Sequence, residues 1–283
     1  SKNNFIELIL KIIYLPQRAS LFTLHVIFLQ KGTLMDLSGK HAVVTGGGTG
    51  IGLAITKALS AVGVNVTIMG RNKARLDEVA GSLKNVRAIA VDVTKPQSVD
   101  QAFKEASDFA PISILVNNAG AATAAPFHKT DYQTWQNTLA VNLTSIYLTM
   151  SSAFNDIKSV EHGRIINIAS TAGLEGHAYT SAYCASKHGV IGLTKSVAQE
   201  LKGSTTTINA ICPGFTRTDM VTHAVDKIVK KTGRSPEDAL KDILISASQL
   251  RLVEPEEIAD QVIKLCDPAN DLINGQAIVI NGN

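Results

Sequence analysis

Tyr183 and Lys187 are the residues of this sequence whose types and spacing most directly indicate proton transfer. They lie four residues apart in a segment with a helical pattern, so both side chains share one helix face. An ammonium group beside a phenol favours the phenolate, and we therefore predict that Lys187 brings the pKa of Tyr183 toward the working pH of an acid/base catalyst. A buried tyrosine beside a surface lysine has the same spacing, so the pair needs support from the elements around it.

A glycine-rich turn follows the first apolar strand, predicted over residues 41–45, and precedes a segment with helical periodicity. Glycines let the backbone approach a phosphate closely, while the N-terminus of the next helix supplies N–H donors and a positive dipole end. Strand, turn and helix together indicate a dinucleotide site. The turn reads Gly46-Gly47-Gly48-Thr49-Gly50-Ile51-Gly52, a Gly-x-x-x-Gly-x-Gly spacing that differs from the commoner G-x-G-x-x-G.

The end of the second predicted strand, over residues 64–69, bears on the choice of cofactor. A dinucleotide fold that prefers NAD(H) places an acidic residue there to hold the ribose 2′-hydroxyl. This chain has Gly70 and then Arg71 instead, and a guanidinium can pair with a 2′-phosphate. The sequence therefore favours NADP(H), with NAD(H) as the alternative if Arg71 is only a solvated loop residue.

Apolar strands alternate with helical segments from Met35 onward, which predicts an α/β fold, a Rossmann-type doubly wound parallel sheet with helices on both faces. No linker divides the pattern, so residues 35–283 are interpreted as one domain. Ligands of such folds bind beyond the carboxyl ends of the strands, where Asp92, Ser170 and the turns at 117–120 and 213–214 all fall. The predicted strands are 41–45, 64–69, 87–91, 112–116, 164–169, 207–212 and 277–280; helices are predicted over 98–109, 131–150, 182–202 and 254–266, with a substrate-covering insertion over 215–250.

Composition argues for an ordinary globular protein. The chain has 283 residues, 45% hydrophobic and 18% charged, with a formal net charge of +3 and no long basic run, so we expect no nucleic-acid partner. The three cysteines show no metal or redox spacing and are interpreted as reduced thiols of a cytoplasmic protein. No His/Asp/Glu cluster has ligand spacing, so no metal is expected.

Residues 1–34 differ from the rest of the chain. Two apolar runs, 5–15 and 21–29, are separated by Pro16-Gln17-Arg18 and are each too short to span a bilayer. We expect no integral membrane span and interpret the segment as an appendage, either upstream sequence or a non-native remnant, outside the working protein. The alternative is an amphipathic segment that docks on a membrane or a partner subunit.

The residues that carry chemistry also occur together in one known family. The chain resembles the short-chain dehydrogenase/reductases from about Met35 to the C-terminus, and the thirteen-residue separation of Ser170 and Tyr183 is near the family's spacing. The matching pieces are Thr45 with the glycine turn 46–52, Asn117-Asn118-Ala119-Gly120, Asn142, Ser170, Tyr183 with Lys187, and Pro213-Gly214 with Thr218.

This resemblance implies a catalytic set of Asn142, Ser170, Tyr183 and Lys187. Tyr183 would exchange a proton with the substrate oxygen, Ser170 would hydrogen-bond that oxygen, and Lys187 would lower the pKa of Tyr183 and hold the nicotinamide ribose. Asn142 would support a water that relays protons to Lys187. The resemblance also implies contacts of the cofactor with Gly46, Thr49, Gly50, Ile51, Gly52, Arg71, Asp92, Val93, Asn118, Ala119, Gly120, Tyr183, Lys187, Pro213, Gly214 and Thr218.

The sequence around Tyr183 resembles members that act on 3-oxoacyl or 3-hydroxyacyl thioesters and on 3-hydroxybutyrate. The first expectation is an NADPH-dependent 3-oxoacyl-thioester reductase, and the alternative is an NAD-dependent 3-hydroxybutyrate or 3-hydroxyacyl-CoA dehydrogenase. Glu161 interrupts the basic residues expected of a carrier-protein docking face before the fifth strand. A nucleotide-sensing protein without activity is the distant third possibility. The resemblance also implies a homotetramer or homodimer that meets through the helices around Asn142 and Tyr183.

Overall fold

The computed structural model describes residues 37–283. The appendage predicted for residues 1–34, with both of its interpretations, lies outside the described residues. Within residues 37–283, no helix combines the length and apolar character needed to cross a bilayer.

Parallel strands in the described residues form one seven-stranded sheet. The strands are β1 (His41–Thr45), β2 (Asn65–Gly70), β3 (Val86–Ala90), β4 (Ile114–Asn117), β5 (Arg164–Ile168), β6 (Thr207–Pro213) and β7 (Ala277–Ile280). They lie in the order β3-β2-β1-β4-β5-β6-β7, which confirms the Rossmann-type sheet predicted from the sequence.

Helices pack around this sheet, with α1 against α9 and α3 against α5. The α-helices of the described region are α1 (Gly50–Ala61), α2 (Lys73–Ser82), α3 (Pro96–Phe109), α4 (Tyr132–Leu139), α5 (Ser145–Ser159), α6 (Ser181–Glu200), α7 (Asp219–Thr232), α8 (Pro236–Ser246) and α9 (Pro255–Cys266).

Burial explains why the central strands read as continuous apolar runs. Every residue of β1, β5 and β6 is buried, since helices cover both faces of a parallel sheet. At roughly 25 cal/mol per Å² of apolar surface removed from water, these strands and the helix faces against them supply the main stabilising term. The rigid sheet places its loops at fixed positions.

Some elements differ from the predictions. The helix predicted over 131–150 consists of α4, a π-helical turn over Ala140–Thr144, and α5. The insertion predicted over 215–250 holds α7 and α8. Helix α2 has no counterpart among the predictions, because it buries only Leu76 and Val79 and so carries a weak periodic signal.

The sheet grows outward from β1 to β3, and the chain then returns to place β4 on the other side of β1. The turns that follow β1 and β4 are therefore neighbours. The Thr45 hydroxyl, at the end of β1, accepts hydrogen bonds from the backbone N–H groups of Asn118 and Ala119, both at 3.0 Å. The Asn118 side chain donates back to the carbonyls of Thr45 and Gly46 at 3.0 and 3.3 Å. The two turns that open the crevice at this switch point are therefore fixed to each other.

Candidate active site

Tyr183 and Lys187 lie in the first two turns of α6, and both line the cleft at the carboxyl edge of the sheet. The Lys187 Nζ atom is 5.7 Å from the centroid of the Tyr183 ring. The two side chains share one helix face, as their four-residue spacing predicts.

Lys187 is buried without a carboxylate partner among the described residues. Its side chain is 4% exposed, and its Nζ donates a hydrogen bond of 2.8 Å to the carbonyl of Ile168, the last residue of β5. Burial lowers the pKa of Lys187 to about 8, opposed only by the nearby Cys212. That thiol is itself buried, and burial raises its pKa to about 11, so it is neutral at pH 7.

The direction of the Tyr183 pKa differs from the prediction. Burial raises the pKa of the Tyr183 phenol, and a hydrogen bond with Ser170 opposes this effect. The Lys187 ammonium does not lower it here, because that group is directed to the Ile168 carbonyl and is itself hard to keep charged. Tyr183 is therefore a neutral proton donor in this state of the protein.

Ser170 brings a second hydroxyl to Tyr183. It follows β5 in extended backbone, and its Oγ accepts a hydrogen bond of 3.2 Å from the Ala172 N–H, which opens the short 3₁₀ turn Thr171–Gly173. The turn orients the hydroxyl into the cleft that Tyr183 also lines, where it opposes the rise in the pKa of the phenol. An oxygen atom placed at this point would be within reach of two hydroxyl donors.

Asn142 lies in the π-helical turn between α4 and α5 and is fully buried. Its Oδ1 accepts from the Ala121 N–H at 3.0 Å, and its Nδ2 donates to the Ala121 and Thr138 carbonyls at 2.8 and 3.0 Å. In a regular α-helix the Thr138 carbonyl would accept from a backbone N–H. Here the Asn142 side chain donates to it, which accounts for the wider π-helical turn. Asn142 therefore fixes the loop after β4; its part in a proton relay stays a prediction.

The glycine turn is shaped for close approach of a ligand. Gly46 has φ of +66°, and a Cβ on Gly52 would lie 2.1 Å from the Gly46 carbonyl oxygen, so neither position accepts a side chain. Thr49 precedes α1 without capping it, which leaves the first N–H groups of the helix directed to the cleft. These features fit a phosphate of a dinucleotide.

The loop after β6 lies opposite this turn. A Cβ on Gly50 would meet the Thr218 methyl group at 3.2 Å. Thr218 precedes α7, and its side chain does not cap that helix either. The predicted cofactor residues that line the cleft are Gly46, Thr49, Gly50, Ile51, Asn118, Ala119, Gly120, Tyr183, Lys187, Pro213, Gly214 and Thr218.

Four predicted cofactor residues lie outside this cleft lining: Gly52 is buried in the first turn of α1, and Arg71, Asp92 and Val93 follow the ends of β2 and β3. Arg71 is exposed, Val93 is buried, and the Asp92 carboxylate accepts hydrogen bonds from the Thr94 N–H and hydroxyl at 3.0 and 2.7 Å. These bonds, with a smaller contribution from Arg71, lower the pKa of Asp92.

The sequence reasoning missed Arg75. Its Nε donates a hydrogen bond of 3.3 Å to the Gly48 carbonyl, which places a second cation over the glycine turn. The signal that could have indicated it is spacing: Arg75 follows Arg71 by four residues, at the start of α2, and residues four apart can lie on one side of a helix.

The two histidines near the catalytic pair differ in position. His177 lines the cleft, together with Thr180, Phe215 and Met220. His188 points its Nδ1 at the Cys184 carbonyl at 2.9 Å, within its own helix, and does not line the cleft. No group of three His, Cys, Asp or Glu side chains in residues 37–283 is placed to hold a metal ion.

Comparison with known proteins gives consistent matches. A family model described as short chain dehydrogenase matches residues 40–228. The chain is 36% identical over 245 residues to a D-beta-hydroxybutyrate dehydrogenase of Cupriavidus necator, covering 84% of this chain and 95% of that protein. It is 37% identical over 245 residues to an acetoacetyl-CoA reductase of Rhizobium meliloti, covering 85% and 96%.

A solved structure extends the similarity to three dimensions. The crystal structure of an actinorhodin polyketide ketoreductase with NADPH matches with a TM-score of 0.79 and 30% identity, over 86% of this chain and 96% of that one.

Proposed function

This chain is an oxidoreductase of the short chain dehydrogenase family, and we propose that it reduces the ketone of a 3-oxoacyl thioester to a secondary alcohol with NADPH. The observation that carries the proposal is the meeting of Ser170, Tyr183 and Lys187 in one cleft with the glycine turn. An acetoacetyl-CoA reductase among the relatives supports the substrate class.

Each catalytic side chain receives a role from its surroundings. Tyr183, neutral because burial raises its pKa, donates its proton to the carbonyl oxygen. Ser170 hydrogen-bonds the same oxygen and stabilises the negative charge that develops on it. Lys187 holds a proton loosely, with a pKa of about 8, and lies 5.7 Å from the ring that must be reprotonated. Asn142 holds the neighbouring loop in place.

The cofactor site consists of the glycine turn, the uncapped start of α1 and the loop that carries Thr218. A bound nicotinamide cofactor would supply the hydride. The protein supplies two helix N-termini without side-chain caps, a glycine turn packed too tightly for a Cβ at Gly46 or Gly52, and the Lys187 ammonium in the same cleft as Gly46.

Two cations support NADPH rather than NADH. Arg71 follows β2 where Gly70 leaves no carboxylate, and Arg75 lies over the glycine turn through its bond to Gly48. Arg75 also pairs with Glu78 at 2.7 Å, so Arg71 is the main candidate to pair with a 2′-phosphate, with Arg75 as a further positive charge. The NADPH of the related ketoreductase structure is in accord with this preference.

One observation favours a second candidate, an NAD-dependent 3-hydroxybutyrate or 3-hydroxyacyl-CoA dehydrogenase. The Asp92 carboxylate, whose pKa Arg71 lowers slightly, would repel a 2′-phosphate bound near that guanidinium. The similarity to a D-beta-hydroxybutyrate dehydrogenase points the same way. His177 in the cleft wall could then hold the carboxylate of a short hydroxy acid.

The face before β5 favours a CoA thioester over a carrier-protein substrate. Arg164 is 1% exposed and paired with Asp271, so it cannot meet an acidic carrier protein. Glu161 is exposed on the same face and would repel one. Within residues 158–164, Lys158 is the exposed lysine or arginine that remains on this face.

The test is reduction of acetoacetyl-CoA with NADPH and with NADH in parallel. We expect kcat/KM to be at least tenfold higher with NADPH, and Arg71→Ala to lower it about tenfold with NADPH alone, as expected for loss of one charge-assisted pair. Lys73→Ala is the matched control, because this exposed cation pairs with Asp77 instead.

Other outcomes have distinct meanings. A higher kcat/KM with NADH would reject the role of Arg71 and promote the hydroxyacid dehydrogenase. Tight cofactor binding without turnover on a broad carbonyl panel would support a nucleotide-sensing protein.

We also propose a homotetramer or homodimer that meets through α5 and α6, acting in the reducing cytoplasm. The free, buried thiols of Cys184, Cys212 and Cys266 agree with a reducing compartment. Light scattering of the purified protein would test the oligomer, and a monomeric mass would reject it.

A further inference from the structure

Gln249 lies behind the loop that follows β6, is almost fully buried and does not line the cleft. Its side chain is 5% exposed, and it is absent from the cleft lining, whereas Pro213, Gly214, Phe215, Thr216 and Thr218 of the loop all line it. A buried amide needs partners for its donors and acceptor, and those partners show what it holds.

All the partners of Gln249 are backbone groups. Its Oε1 accepts from the Phe215 N–H at 2.9 Å, and its Nε2 donates to the carbonyls of Phe215 and Arg251 at 2.8 and 2.7 Å. Because both carbonyls require a donor, the orientation of the amide is fixed. Gln249 therefore binds both polar groups of Phe215, as a neighbouring strand would.

Two further observations show how the loop is held, one by this amide and one by the chain that follows it. A Cβ on Gly214 would lie 2.6 Å from Gln249 Oε1, so the loop passes directly over the side chain. Phe215 and Arg217 also form backbone bonds of 2.9 Å with Val253, beside the bridge between Thr216 and Val253. The segment 214–217 is thus held along its length by residues 249–253.

We propose that Gln249 is a positioning residue for the cofactor, which it holds by fixing the loop that places Thr218 opposite Gly50. The inference rests on the proposed function, since the loop is assigned to the nicotinamide cofactor. Gln249 follows the C-terminal end of α8, so it also ties this loop to the helices interpreted as the substrate cover.

The test is equilibrium binding of NADPH to the full-length protein, measured by fluorescence without substrate. Gln249→Met keeps the length of the side chain and removes its three hydrogen bonds, and we expect the Kd for NADPH to rise about tenfold. Gln249→Glu keeps the acceptor for the Phe215 N–H. As pH drops and the carboxyl becomes protonated, it regains a donor, so the Kd of this variant for NADPH should fall.

Asn209 provides a matched control on β6. It is 1% exposed, donates to the Ile273 carbonyl at 2.7 Å and accepts from the Gln276 N–H at 3.0 Å, but it does not line the cleft. Asn209→Leu should lower the melting temperature, as Gln249→Met does, yet leave the Kd for NADPH within twofold.

Two results would overturn the proposal: a Kd within twofold of the parent in Gln249→Met, or equal weakening in Asn209→Leu. If Gln249→Met does not fold, the pH dependence of binding in Gln249→Glu decides, and a flat profile rejects the role. Because binding needs no substrate, failure on acetoacetyl-CoA would leave this test unaffected.

Discussion

Strand β5 has a buried cation at each end, and the two are paired in opposite ways. Arg164, its first residue, is 1% exposed; Lys187, 4% exposed, reaches the carbonyl of its last residue, Ile168, from α6. Burying either charge costs several kcal/mol unless it is paired and hydrogen-bonded. What surrounds each cation therefore shows what each end of the strand is for.

At the amino end the charge is neutralised. The Arg164 guanidinium pairs with the Asp271 carboxylate and donates to the carbonyls of Gly163 and Thr205 at 3.0 and 2.8 Å. The His162 ring bonds the other Asp271 oxygen at 2.7 Å. A guanidinium is effectively always protonated, so the buried charge at this end depends on its carboxylate and carbonyl partners.

At the carboxyl end the charge is left weakly paired. Lys187 has a carbonyl acceptor and a neutral thiol nearby, and its pKa falls to about 8. An amine that holds its proton loosely suits proton transfer, while a paired guanidinium suits stability. The amino end of β5 thus serves stability and its carboxyl end serves proton transfer.

The largest effect should come from removing the proton donor at the carboxyl end. Tyr183→Phe should lower kcat by about 10³-fold, within the usual contribution of general acid catalysis. Steady-state reduction of acetoacetyl-CoA measures it, and Tyr147→Phe, which changes an exposed ring on α5, is the control. Retention of a tenth of the parent kcat would remove Tyr183 from the mechanism.

Removing the cation at the amino end should cost stability instead. Arg164→Met leaves the Asp271 carboxylate without its main partner, and we expect a loss of roughly 3–5 kcal/mol in the free energy of unfolding. Arg164→Met with Asp271→Leu should recover much of the loss. Urea unfolding measures both, and a large fall in kcat of the folded single variant would contradict a purely structural role.

The pH dependence of stability should distinguish the two ends. The folded pKa of Lys187, about 8, lies below its ordinary value of 10.5, so the unfolded chain binds the extra proton between these values. The penalty for burying the charge is full below pH 8 and disappears as pH rises to 10.5, which adds about 3 kcal/mol of stability. Urea unfolding of the parent and Lys187→Met across this range should diverge; parallel curves would reject the lowered pKa.

The smallest effect concerns two residues with left-handed backbone, one in the segment before β5 and one in the segment after it. Tyr179 has φ of +68° with a ring 66% exposed, and His162 has φ of +59° with its ring bonded to Asp271. Tyr179→Gly relieves strain and should stabilise the protein by about 0.5 kcal/mol. His162→Gly loses its ring bond and should not. Thermal unfolding compares them, and equal gains would show that the His162 bond contributes nothing.

Much of the fold was readable from the sequence, because burial of whole strands leaves unbroken apolar runs. The predicted strands at 41–45 and 277–280 coincide with β1 and β7. The π-helical turn at Ala140–Thr144 was not predictable, because it depends on a bond between Asn142 and Thr138 inside a regular helical pattern. Local periodicity does not record which side chain competes for a backbone carbonyl.

The candidate active site likewise has parts that the sequence predicts and parts that it does not. Tyr183 and Lys187 were proposed from residue types and spacing, and Ser170 from the family resemblance; the structure places all three in one cleft. Gln249 gave no signal, because its partners are backbone groups of a loop more than thirty residues earlier in the sequence. The direction of the Tyr183 pKa also depends on burial and on where the Lys187 amine points, which spacing alone does not contain.

The parallel order of the strands also has a consequence during synthesis. The glycine turn at 46–52 leaves the ribosome about 160 residues before the loop at 213–218 that lies opposite it. At roughly 5–20 residues per second, this interval lasts about 8–30 s. A nascent chain can thus form the phosphate-binding turn while the other side of its cleft does not yet exist. Translation of β6 and its loop therefore sets the earliest moment at which a new chain can enclose a cofactor.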